Sequence, residues 1–332
     1  MRPTMPKLLR ASSVVVASAL LAVGAAAPAH ADPRTIYDTG LNLADPGFIA
    51  TDAGVTIHGT GPGFPASSAS SYNGTYAPIP AEPSMTDLPD WIGEAPTMGK
   101  RLWAPSVITV GTTYVMYYTA WHDKQNRNCI GVATSSAVRG PFVADGGPLC
   151  APDDAGDGAE AIDPSAYVSA EGNCYMVFKT SLGNRSNFKI WAKPTGEDCV
   201  TRGFDAKVKL ARKSKIEAPF VLNPRAVDGG VYLFVSRQDY TGCGYNVEVW
   251  RADSLWEGTF AKKDKKVLMD QSSSGMCGPG GATLTETPSG TRIAFHAWDT
   301  ANPATDDMPT TNTRSTYTAQ VLWDKKGRPH VM

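Results

Sequence analysis

Three carboxylates stand out by their company. Asp45 and Asp163 each precede a proline, and Glu217 stands one residue before Ala218-Pro219. Trp103-Ala104-Pro105 and Gly278-Pro279 have the same form without a carboxylate. The five prolines, at 46, 105, 164, 219 and 279, are spaced 59, 59, 55 and 60 residues apart. A single Asp-Pro is an ordinary turn pair; a set in register along the chain brings its side chains to equivalent places. Converging carboxylates suit the hydrolysis of an acetal. A protonated acid serves the leaving oxygen, an ionised carboxylate activates water from the opposite face, and a third can tune the acid through like-charge repulsion. The competing use, a cation held by oxygen ligands, wants more ligands than these three.

The elements that would carry them are strands. Tyr114–Thr119, Tyr175–Phe178, Tyr232–Ser236 and Ile293–Trp298 are aromatic and aliphatic runs beginning 61, 57 and 61 residues apart, each following a proline head. Gly140-Pro141-Phe142 and Gly258-Thr259-Phe260 read as turns into outer strands, and Ala319–Trp323 with Arg328–Val331 as a last hairpin. A strand-rich period of this length is the mark of a propeller, one blade of about four strands per repeat. The expected fold is all-β, a five-bladed β-propeller in a single domain, with the first repeat the most irregular: Gly, Ser and Pro crowd residues 59–71 and no aromatic strand follows Asp45.

Composition agrees. The 332 residues are 42% hydrophobic and 19% charged, enough for a core. A net charge of -1 leaves no basic excess for nucleic acid. The one long apolar stretch is N-terminal: Arg2, Lys7 and Arg10 precede an apolar run to Ala27 and an Ala29-His30-Ala31 cleavage pattern. Residues 1–31 are therefore expected to be a secretory signal peptide, with a mature propeller over 32–332, no membrane partner and a secreted, extracellular location. Six cysteines in an oxidising compartment suggest disulfides. Of the fifteen possible connectivities, blade locality favours Cys129–Cys150, Cys174–Cys199 and Cys243–Cys277.

The ordered set Ala44-Asp45-Pro46, Trp103-Ala-Pro-Ser-Val107, Ile162-Asp163-Pro164 and Glu217-Ala-Pro219, with Gly140-Pro141-Phe142 and Trp323–Pro329, resembles glycoside hydrolase family 43 over nearly the whole mature chain. The resemblance implies a five-bladed propeller that inverts at the anomeric centre and cleaves arabinose- or xylose-containing plant polysaccharides. It implies Asp45 as general base, Asp163 as the carboxylate that tunes the acid and orients substrate, and Glu217 as general acid. Asp52 is the nearest alternative to Asp45, whose blade departs from the family pattern. Many members carry a histidine in a Gly-His-Gly segment heading blade five, which helps hold a central cation; here Cys277–Ala282 has none, and no metal or other cofactor is expected. Substrate contacts are expected from Trp103, a sugar platform at the blade-two equivalent of Glu217, and from Lys179, Asn184, Arg237 and His296. The expected activity is α-L-arabinofuranosidase acting as a monomer on a carbohydrate, with β-xylosidase or arabinanase next and a glycan-binding propeller as the non-enzymatic alternative.

Overall fold

The computed structural model describes residues 35–94, 102–151, 159–181, 188–201, 207–227, 229–255, 260, 265–299 and 313–331. The expected signal peptide, Asn184 and Gly258-Thr259 lie outside the described residues.

Antiparallel strands form five sheets in chain order. The short β1 (Tyr37–Asp38) is followed by blade one: β2 (Gly47–Thr51), β3 (Gly54–His58) and β4 (Ala66–Ala69). Blade two has β5 (Leu102–Val110), β6 (Thr113–His122), β7 (Arg127–Ser135) and β8 (Val143–Ala144). Blade three has β9 (Glu160–Val168), β10 (Cys174–Ser181), β11 (Phe188–Pro194) and β12 (Val208–Lys213). Blade four has β13 (Ile216–Leu222), β14 (Val231–Arg237), β15 (Asn246–Ala252) and β16 (Lys265–Met269). After the one-turn helix α1 (Gln271–Ser274), blade five has β17 (Cys277–Thr287), β18 (Gly290–Trp298), β19 (Arg314–Trp323) and β20 (Pro329–Val331). Strand β1 pairs with β19, so the N-terminal end of the described chain completes the last blade.

The architecture is the expected five-bladed β-propeller, and the runs at Tyr114, Tyr175, Tyr232 and Ile293 form the second strands β6, β10, β14 and β18. They read as continuous rather than alternating apolar because each lies between two neighbouring blades. In β10, Met176 and Phe178 pack toward blade two while Tyr175 and Val177 pack toward blade four. In β14, Leu233 and Val235 face blade three while Tyr232 and Phe234 face blade five. The two-residue alternation of a strand thus feeds two cores at once. Blade one is the irregular one, with three strands; it packs Ile49 against blade two and Phe48 and Ile57 against Ala294 of blade five.

All three expected disulfides are present. Cys129–Cys150 closes within blade two and Cys174–Cys199 within blade three. Cys243–Cys277 ties the β14–β15 loop to the start of β17.

Candidate active site

Each inner strand begins with the same backbone irregularity. Asp45, Ala104, Asp163, Ala218 and Gly281 adopt left-handed φ values of 50°, 47°, 53°, 45° and 62°. In blades two to five the pairing register slips there: Trp103 pairs with Thr119 and Ser106 with Tyr117, Glu217 with Ser236 and Phe220 with Phe234, Gly280 with His296 and Thr283 with Ala294. Such a bulge turns the side chains at its start toward the axis. The fifth head is a correction to the sequence register. It lies at Gly281-Ala282, three residues beyond Gly278-Pro279, because glycine reaches the left-handed conformation unaided and no proline follows it.

A second periodic feature holds the heads in place. Thr119, Lys179, Ser236 and His296 on β6, β10, β14 and β18, with Thr60 two residues past the end of β3, recur 59, 60, 57 and 60 residues apart. Four of them accept a hydrogen bond from the left-handed residue of the next blade. Ala104 N–H donates to Thr60 Oγ1 at 3.0 Å, Asp163 N–H to Thr119 Oγ1 at 3.0 Å and Gly281 N–H to Ser236 Oγ at 2.9 Å. Asp45 N–H donates to His296 Nδ1 at 2.9 Å, closing the circle. Lys179 cannot accept, and Ala218 N–H donates instead to Asp163 Oδ2 at 3.1 Å.

This ring opens onto a cavity of about 490 Å³ that brings Asp45, Asp163 and Glu217 together with Thr60, Trp103, Lys179, Phe188, Tyr240, Tyr245 and Arg314. Asp45 accepts from the Thr60 hydroxyl at 2.7 Å and has Arg314 Nη1 at 3.5 Å from Oδ1. Burial alone would raise its pKa, but Arg314, His296 and the Thr60 hydroxyl together outweigh it, and the carboxyl is held below its ordinary value. Asp163 goes the other way. Burial raises it most, Glu217 and Asp45 add like-charge repulsion, and Lys179 and the Ala218 N–H offset only part. Glu217 is gripped on both oxygens: Lys179 Nζ lies 2.8 Å from Oε2 and Tyr245 Oη donates to Oε1 at 2.9 Å. One carboxylate is thus held below its ordinary value and another raised to about 7 within one cavity, which is the separation that paired acid–base chemistry requires.

Tyr245 reaches Glu217 because blade five vacates the space. A Cβ on Gly280 would sit 1.9 Å from Tyr245 Cε1. Buried Tyr245 also stacks on His296, with centroids 6.1 Å apart and rings 8° from parallel. Burial and the cation Arg314 lower the His296 pKa to about 3 despite Asp45. The ring is therefore neutral, with Nδ1 facing the Asp45 N–H at 2.9 Å and Nε2 facing Arg314 Nη1 at 3.3 Å.

Trp103 lines the cavity, one residue before its head as Glu217 is before Ala218. Lys179 lines it too, with its ammonium on Glu217. His296 is not at the cavity wall; it is buried behind Asp45 and braces that residue's backbone. Arg237 is not brought to the cavity. It is buried, and its guanidinium ties the turn before β13 through Ser214 O and Lys215 O and pairs with Glu248. Asp52 lies exposed in the β2–β3 turn. Thr60, Tyr245 and Arg314 were not found from sequence. Thr60 had a signal, its periodic spacing from the second-strand positions; Tyr245 and Arg314 fall outside the repeat.

Beneath the carboxylates an axial void is lined by Pro105, Ser106, Pro164, Ser165, Pro219 and Thr283. The Ser165 and Thr283 hydroxyls donate to the carbonyls of Pro219 and Pro46. Among the described residues no three His, Cys, Asp or Glu side chains converge as metal ligands, and His296 Nδ1 is already engaged. The residues present do not fit a protein-held cation, and no chemistry is derived through one.

The model of the family Glycosyl hydrolases family 43 matches residues 80–329. An extracellular endo-alpha-(1->5)-L-arabinanase of Thermotoga petrophila is 30% identical over 168 residues, 46% of this chain and 35% of that protein. Xylosidase/arabinosidase 43A of Humicola insolens is 36% identical over 87 residues, 26% of this chain and 24% of that protein. The chain thus spans well under two thirds of the length of either relative. A thermostable family-43 glycoside hydrolase of known structure superposes with a TM-score of 0.71 at 18% identity, covering 89% of this chain and 95% of that one, a likeness of fold. With a match that spans four of the five blades and both Asp163 and Glu217, the chain belongs to glycosyl hydrolase family 43.

Proposed function

We propose that the chain is an exported, inverting glycoside hydrolase that cleaves α-L-arabinofuranosyl linkages in arabinose-containing polysaccharides. The observation that carries this reading is the opposite surroundings of carboxylates facing one cavity: Asp45 lies against Arg314 and the Thr60 hydroxyl, which hold it low, while Asp163 is buried beside Glu217, which raises it to about 7. Asp45 acts as the base that takes a proton from water as it attacks the anomeric carbon. Glu217 delivers a proton to the leaving oxygen, and Asp163 keeps a proton resident on the Asp163–Glu217 pair. Trp103 supplies an apolar floor for a sugar ring beside the charges. Export is supported by the N-terminal segment and by the three disulfides, which belong to an oxidising compartment.

The similarity to an endo-alpha-(1->5)-L-arabinanase favours internal cleavage of arabinan as the second reading. The similarity to a xylosidase/arabinosidase keeps xylosides in the test. The assay is a panel of aryl α-L-arabinofuranosides and β-xylosides beside arabinan and arabinoxylan, with proton NMR of the first sugar released. Release of the inverted anomer from an arabinofuranosyl substrate is expected. Binding of arabinan without hydrolysis of any member would make the chain a glycan-binding propeller, and early release of the retained anomer would remove Asp45 as the base.

A further inference from the structure

Four of the five equivalent ring positions hold a hydrogen-bond acceptor for the next blade, namely Thr60, Thr119, Ser236 and His296. The fifth holds Lys179, buried to 4% exposure, whose side chain has no acceptor to offer. A residue that breaks the structural rule its four counterparts obey marks a place where function has displaced packing logic. Two consequences are visible. The orphaned Ala218 N–H is taken by Asp163 Oδ2, so one carboxylate serves as the missing ring acceptor. The ammonium itself stands 2.8 Å from Glu217 Oε2, next to the N–H that Asp163 holds.

We propose that Lys179, rather than contacting the sugar, is a positioning residue that sets where the proton resides on the Asp163–Glu217 pair and fixes the Glu217 carboxyl for the leaving group. The inference rests on the reading of Glu217 as the acid. Lys179 faces Glu160, Asp163 and Glu217, sits over the Phe188 ring at 4.4 Å, and shares the cavity with Asp45, Lys215, Asp239, Tyr245 and Arg314. Burial disfavours its charge, but Glu217 and Asp163 more than compensate, so it stays cationic. Both oxygens of Glu217 are engaged, by the Lys179 ammonium and the Tyr245 hydroxyl, so the proton of the pair rests on Asp163. A leaving oxygen arriving at Oε2 competes with the ammonium, and the proton is then drawn to Glu217. No net proton enters or leaves the pair in this step.

The test compares wild type with Lys179→Thr and Lys179→Arg. Threonine restores the acceptor found in blades one and two, so this variant keeps a fold-compatible ring while losing the charge. Two readouts are taken: the alkaline limb of kcat/KM on an aryl arabinofuranoside, and the carboxyl titration of Asp163 and Glu217 by carbon-13 NMR without substrate. Loss of a cation in contact with the pair is expected to raise both by about 1–3 pH units in Lys179→Thr, while Lys179→Arg keeps both near wild type. A limb and a titration that stay in place in Lys179→Thr, with activity lower by the same factor at every pH, would reduce Lys179 to a packing residue and overturn the proposal. Should wild type hydrolyse nothing, the functional reading fails by that result, and the NMR titration still decides for or against Lys179.

Discussion

Replacing Arg314 by glutamine tests the base directly. Arg314 Nη1 is 3.5 Å from Asp45 Oδ1, and both side chains are largely buried, at 19% and 26% exposure. Coulomb's law at that separation gives about 1 kcal/mol for a water-like dielectric and about 5 kcal/mol for an effective value near 20. That attraction is the largest of the contributions that hold Asp45 below its ordinary value against its burial. Removing the cation leaves burial less opposed, so the Asp45 pKa rises. The acidic limb of kcat/KM, which reports the free enzyme's base, is then expected to move to higher pH by at least about one unit, with the alkaline limb unmoved. His296 responds in the same direction, since Arg314 is one cause of its depression, but from about 3 it has to climb far before it charges near neutrality. Arg314→Lys should restore most of the shift. The assay is initial rates on an aryl arabinofuranoside from pH 3 to 9. If the plateau falls in Arg314→Gln while the acidic limb stays put, Arg314 acts on substrate alone, and Asp45 is not the base whose ionisation it governs.

Three further outcomes follow from the same geometry. Glu217→Gln should lose about 10²–10⁴-fold on natural linkages yet retain most turnover on a dinitrophenyl glycoside, whose leaving group needs no proton, whereas Asp45→Asn should be impaired on both; equal losses across both substrates would show the roles misassigned. Gly280→Ala places a methyl group where Tyr245 Cε1 now lies, so it should cost about 1–3 kcal/mol by overpacking and lower kcat to the level of Tyr245→Phe, read by thermal unfolding beside kinetics. His58 is buried, hydrogen-bonded through Nε2 to Val138 O, and lowered to about 4, chiefly by burial. Between pH 6.5 and 4 the unfolded chain binds a proton there that the folded chain refuses, so stability is lost as pH falls through that window, by roughly 3 kcal/mol; His58→Gln should flatten acid unfolding over that range if this histidine is responsible.

The repeat made the fold and the three carboxylates legible because one local device, a left-handed residue followed by proline, was written four times with nearly constant spacing. The fifth copy differs for a physical reason. Gly278 before Pro279 is itself left-handed, at φ 60°, but the N–H that meets the ring acceptor Ser236 belongs to Gly281, which reaches φ 62° with no proline after it. Arg237 was misread because it follows Ser236. Successive strand residues face opposite ways, so when Ser236 Oγ meets the Gly281 N–H at the ring, Arg237 must point to the turn at Ser214 and Lys215. His296 is expected at the sugar, whereas its position in the same series as Ser236 sets it against the Asp45 backbone. Tyr245 and Arg314 were illegible because they come from non-repeating segments, the disulfide-tied β14–β15 loop and the first residue of β19.

A symmetric scaffold can hold an asymmetric site because, at four of the five heads, its support does not come from a head side chain; Asp163, which takes the Ala218 N–H, is the exception. Support comes from the backbone N–H of each left-handed residue, which is why four of the five tolerate a conformation that costs a non-glycine residue about 1 kcal/mol. The head and the residue before it are then free to differ: Ala44-Asp45, Trp103-Ala104, Ile162-Asp163, Glu217-Ala218 and Gly280-Gly281. Three of these ten positions are charged, and the others are small or apolar. The small ones make room, as Gly280 does for Tyr245, and the apolar ones keep water from screening the carboxylates. That exclusion is what lets Arg314 and Lys179 separate the protonation states of groups with nearly the same intrinsic acidity. A lysine at the third position of the ring places a charge against Glu217, and the hydrogen bond it cannot accept passes from Ala218 N–H to Asp163, which ties the support of one head to the acid–base pair itself.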